Sequence, residues 1–66
     1  MKVELLKSKI KEKGLKFEFI AGQLNLSKQG FSSKINGANE FKWSEIRKIA
    51  TILELTPSER EKIFFS

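Results

Sequence analysis

The sequence contains no cysteine, no histidine, no aspartate and no tyrosine, and only one proline. Without cysteine there is neither a disulfide framework nor a thiolate metal site, which suits a reducing compartment; the cytoplasm is the expected location. All eight acidic residues are glutamate, so the usual general acids and bases, nucleophiles and metal ligands are nearly missing. Glu59 and Glu61 lie close in sequence, but two residues apart on a helix they point to different sides and cannot clamp one substrate. The expectation is a protein that is not an enzyme, with no metal, no cofactor and no small-molecule substrate. Long apolar runs are missing as well. The opening "MKVELLKSKIKEKG" carries lysines at close intervals and does not resemble a signal peptide. No window approaches the ~20 apolar residues of a spanning helix, so a soluble protein without a membrane partner is expected. "NLS" at Asn25 formally matches a glycosylation sequon, read as chance in the absence of a secretory signal.

What is present fits one small domain over residues 1 to 66, since a chain of 66 residues has enough material for a single core. The net charge is +5 and unevenly placed: residues 1 to 16 hold six Lys and two Glu, residues 17 to 42 net +1, and residues 43 to 66 net zero. A surface of that sign suits a polyanion such as nucleic acid through counterion release. It equally suits a solvated lysine-rich helix face that keeps a small protein in solution, and charge alone leaves both readings open.

Apolar spacing predicts five short helices and no strand. The first, about 2 to 13, places Val3, Leu6 and Ile10 on one side with Leu5 adjacent, and Gly14 supplies a left-handed stop. The second, about 17 to 24, carries Phe17, Ile20, Ala21 and Leu24 at i, i+3, i+4, i+7 and is followed by Asn25, the next best stop residue. Ser27 can cap a third helix in which Phe31 and Ile35 are the buried stripe. On its opposite face lie Gln29, Ser33 and Asn36, with Ser32 at the border and Lys28 and Lys34 flanking. A fourth helix, about 43 to 54, has the stripe Ile46, Ile49, Ala50, Leu53; "TPSE" at 56 to 59 is a capping box that opens a fifth carrying Ile63 and Phe64 or Phe65 inward.

Only about three residues join the second and third helices, which forces a sharp crossing. That connection is compatible with a DNA-binding helix-turn-helix and with an ordinary αα corner. The residues themselves resemble the Cro/CI, or lambda-repressor-like, type of phage and prophage helix-turn-helix proteins. Small Ala21 stands where the two helices touch, apolar Leu24 and Leu26 surround the turn, and Ser27 opens the next helix. Phe31 and Ile35 lie behind it, "NG" follows at Asn36 and Gly37, and "EIRKIATILELTP" resembles the fourth helix of that family. The resemblance covers about residues 3 to 57 and is nearest to the short Cro-like repressors. There are departures. Asn25 replaces the usual glycine of the turn, Lys16 and Phe17 stand where polar caps are common, and Lys42 stands where a cap precedes the fourth helix.

The resemblance implies a compact, all-α, five-helix lambda-repressor-like domain that binds double-stranded DNA in a sequence-specific way. It implies a repressor of transcription that occupies a pseudo-palindromic operator as a homodimer, at least on DNA. Carried onto this chain, it places Lys28, Gln29, Ser32 and Ser33 at base edges. Ser27, Lys34, Asn36 and Lys42 become phosphate contacts, with Lys13 and Lys16 bordering the second helix; Phe17 can contribute only its backbone N–H. An uncharged hydrogen-bonding face between cations suits a groove floor between phosphates.

Blander roles are available to each of these residues: exposed helix positions for Ser32 and Ser33, a solvated charge for Lys34, a helix stop for Asn36. Trp43 is expected as a half-buried packing residue and Phe19 as a satellite contact or an isolated exposed aromatic. A rival from another class is a protein-binding adaptor, antirepressor or antitoxin-like, that docks through Phe19, Phe64 and Phe65. Membrane-surface binding by the first helix is weaker, because its apolar stripe is small and lacks Trp and Phe.

Overall fold

The computed structural model describes residues 1–65. It is a compact all-helical domain of five helices: α1 Val3–Glu12, α2 Phe17–Gln23, α3 Lys28–Ile35, α4 Trp43–Ile52 and α5 Pro57–Phe64. Among the described residues there is no strand. The expected ends at Lys13 and Leu24 fall one residue late, and that at Glu54 two residues late.

The first four helices end in the same way. Gly14, Asn25, Gly37 and Glu54 adopt left-handed backbone, with φ of 68°, 59°, 86° and 54°. After each of them the next N–H reaches back to a carbonyl in the last turn: Leu15 to Ile10 at 3.2 Å, and Leu26 to Ala21, Ala38 to Ser33 and Leu55 to Ala50 at 2.9 Å. This is the Schellman geometry, in which an otherwise unpaired carbonyl is satisfied and the following apolar residue is turned back toward the helix. Leu15, Leu26 and Leu55 accordingly pack against the core.

Helix starts are capped unevenly. The Ser27 hydroxyl accepts from the Gly30 N–H at 3.0 Å, and Thr56 and Glu59 form the expected capping box, with bonds of 3.1 and 2.9 Å. Lys42 offers no side-chain acceptor before α4. The carboxylate of Glu45 nevertheless accepts the Lys42 backbone N–H at 2.8 Å, which supplies half of a capping box.

The core takes Leu6 and Ile10 from α1, Ile20 and Ala21 from α2, Phe31 and Ile35 from α3, Ile49 from α4 and Ile63 from α5, with Leu24 and Leu53 at the turns. Full burial of each large apolar side chain contributes about 1.5–3 kcal/mol. Edge-to-face aromatic contacts run from Phe17 through Phe31 and Phe41 to Phe64, at centroid distances of 5.5, 5.9 and 6.0 Å. They link four parts of the chain with geometry that favours ring pairs. α5 returns to the start of the chain: the Lys2 N–H donates to the Ile63 carbonyl at 2.7 Å, and Lys9 pairs with Glu59 at 2.6 Å. α2 packs chiefly against α3.

Candidate nucleic-acid interface

α3 is placed by its two buried residues. Phe31 and Ile35 are essentially inaccessible, as is the small Ala21 on α2. The opposite side of α3 is thereby turned outward. Lys28, Gln29 and Asn36 are exposed, and Ser32 and Ser33 are half-buried. The four base-edge candidates thus share the outward or bordering surface of one short helix. Lys28 makes a loose, exposed ion pair with Glu18 at 3.7 Å, a contact weak enough to yield to another anion. Ser27 uses an oxygen lone pair for its cap and keeps its hydroxyl hydrogen for another acceptor.

The cations around this face divide into three kinds. Lys16 and Lys42 are exposed N-cap residues of α2 and α4, and among the described residues neither takes part in an ion pair. Lys13 is tied to Glu54 at 2.7 Å, and that bond lowers the Glu54 carboxyl below its ordinary value. Lys34 departs from expectation. Its ammonium lies 2.7 Å from the Glu45 carboxylate, with the two side chains only 13% and 10% exposed. It is not a flanking surface charge. A lysine stem is long enough to carry its charge away from the direction its helix position suggests, and here it delivers that charge to the first turn of α4.

Burial alone would raise the Glu45 carboxyl, but the Lys34 hydrogen bond, the Lys42 N–H and the charges of both lysines outweigh it and hold the group below its usual range. Phe17 packs edge-on to Phe31, so any anion contact at that position falls to its backbone N–H at the start of α2. Asn36 is the C-cap residue of α3 and remains exposed.

Among the aromatic residues, Trp43 departs from expectation and Phe19 is the exposed aromatic expected. Trp43 is 51% exposed, more open than a packing residue, with Arg60 stacked over its ring at 5.3 Å and Phe65 at 5.9 Å. Phe19 is exposed and takes part in no ring contact among the described residues, whereas Phe64 joins Phe41. The three phenylalanines of the adaptor reading therefore do not form one ring cluster. Sequence reasoning also missed Arg47 and Lys48, which line an open groove with Gln23. Glu45 was missed as well, and of the three it alone had a signal: a glutamate three residues beyond an N-cap position is the second half of a capping box. Among the described residues no group of three or more acidic, His or Cys side chains is placed to hold a metal ion, and no helix is long and apolar enough to cross a membrane.

The arrangement defines an all-helical domain with an outward face of amide and hydroxyl groups on its third helix. Residues 2–66 match the family model described as protein of unknown function (DUF739), and the chain belongs to that family. No curated protein and no solved structure matches it.

Proposed function

We propose that this chain is a sequence-specific, double-stranded DNA-binding regulator of transcription, a Cro-like repressor that reads a pseudo-palindromic operator as a dimer. In this reading α2 and α3 are a helix-turn-helix and α3 is the helix that enters the major groove. The observation that carries it is the combination at α3. The helix follows α2 after a four-residue connection with left-handed Asn25 and packs on it, with Ala21 of α2 buried. It turns Lys28, Gln29, Ser32 and Ser33 to its outward or bordering surface.

Gln29 can bond adenine through two contacts, Lys28 can donate to guanine, and the serines can serve either. Lys16, Ser27, Asn36 and Lys42, with the Phe17 N–H, hold phosphates and fix the register without reading sequence. Repression follows from occupancy, which denies the site to polymerase. The reading is tested by selecting binders from a randomised duplex pool: an enriched inverted repeat supports it, and recovery of no DNA overturns it.

The exposed pair of Trp43 and Phe65, with Met1 42% exposed, favours a second reading, an adaptor that docks a protein partner on this apolar surface. Substituting both rings with serine separates the two. Loss of a protein complex with DNA binding intact favours the adaptor, and retention of every activity removes it.

A further inference from the structure

The Lys34–Glu45 contact differs in kind from the other ion pairs seen among the described residues. The others have at least one partner whose side chain is 35% exposed or more, whereas this one is nearly enclosed, at 13% and 10%. Exposed pairs contribute little, but an enclosed pair is strongly coupled, because removal of either member strands the other charge away from water. The anion also sits where its helix favours it, in the first turn of α4, and receives the cation that the last turn of α3 sends there. One oxygen, Oε1 of Glu45, accepts both the Lys34 ammonium at 2.7 Å and the Lys42 backbone N–H at 2.8 Å. That single atom joins the end of α3 to the start of α4 across the irregular segment 36 to 42.

A short helix held along one side can still swing about that contact. α3 packs chiefly on α2, and the ion pair supplies a second anchor at its other end, next to Ser33. We infer that Lys34 and Glu45 form a clasp that sets the angle at which α3 presents its outward face, so that Lys34 is a positioning residue and not a phosphate contact. The positioning role rests on the DNA-binding reading; the clasp itself does not.

The full chain and its Lys34→Met, Glu45→Gln and double variants test this in two arms. The first is equilibrium unfolding without DNA. A clasp predicts coupling, with the double variant no less stable than the weaker single variant; additive losses overturn it. The second arm compares the selected operator with an unrelated duplex over a range of salt, at a temperature where every variant is folded. Lys34→Met is expected to lower operator affinity about tenfold, the scale of coupled contacts, with unrelated duplex and salt slope unchanged. Glu45→Gln is expected to do the same. Simple charge bookkeeping predicts the reverse for Glu45→Gln, since loss of a negative charge favours DNA. Tighter binding by Glu45→Gln, or a salt slope shallower by about one unit for Lys34→Met, overturns the positioning role. If the wild-type chain binds no DNA, the functional reading falls and the positioning role falls with it, while the unfolding arm still decides the clasp.

Discussion

Gln29 stands at the second position of α3 with its side chain exposed, so its removal should alter recognition without altering the fold. Gln29→Ala is expected to lower operator affinity by about 1–3 kcal/mol, the range for a bidentate base contact, with unchanged helicity by circular dichroism; operator affinity equal to wild type would remove it from the readers. Lys42 is the complementary case, an exposed cation that takes part in no ion pair among the described residues. Lys42→Ala should weaken operator and unrelated duplex alike and reduce the salt slope by about one unit, while a loss confined to the operator would contradict a phosphate role. Ala21 shows the structural side of the same scale. It is 1% exposed, and Ala21→Leu is expected to cost about 1–3 kcal/mol by overpacking, read as a fall in melting temperature. The direction of Gln29 and the burial of Phe31 were legible because helical periodicity fixes where Cβ points. The fate of Lys34 was not, because four flexible bonds lie between its Cβ and its charge, and its partner Glu45 lies eleven positions away.

At the scale of elements, the recurring device is the left-handed stop. Gly14, Asn25 and Gly37 announce themselves in sequence, since glycine and asparagine enter that region readily. Glu54 does not, which is why the fourth helix reads two residues too long. The signal it left is the flanking pattern "LEL" at 53 to 55, matching "LNL" at 24 to 26, with an apolar residue after the stop in each case. Glu54→Gly should relieve backbone strain and raise the melting temperature by a few degrees even though the exposed bond to Lys13 is lost; a lowered melting temperature would show that the ion pair outweighs the backbone.

The junction of α1 and α5 carries an acid-sensitive contact. The Lys9 hydrogen bond to Glu59, helped by the Thr56 backbone N–H, pulls the Glu59 carboxyl down from 4.5 to about 2. A group whose folded value is depressed contributes stability above its unfolded value and loses it on acidification. This contribution is therefore complete above about pH 4.5 and fades toward pH 2. Glu59→Gln should flatten that part of the stability profile and leave its shape unchanged from there up to the alkaline range, where the Lys9 ammonium, raised by the same contact, titrates. An unaltered slope between pH 4.5 and 2 would mean that the solvent-screened pair contributes nothing.

For the whole molecule, size bounds mechanism. The Cα positions span 28 × 24 × 20 Å, less than one turn of duplex at about 34 Å, so under the proposed reading one copy would reach a half-site and a complete inverted repeat would take two. Under that reading, few contacts per copy would make affinity depend on pairing and on salt. The five-helix layout was legible because each apolar stripe, stop and cap is local. The joining of α1 to α5, the clasp between α3 and α4, and the stacking of Arg60 on Trp43 are contacts between distant segments, and no periodicity encodes them. The most direct measurement is selection of the full chain against a randomised duplex pool, followed by titration of the winners at raised salt. The account predicts an enriched inverted repeat with half-sites about one helical turn apart, 34–36 Å, whose affinity falls steeply with salt. Salt-sensitive binding without an enriched motif, or no binding at all, would contradict it.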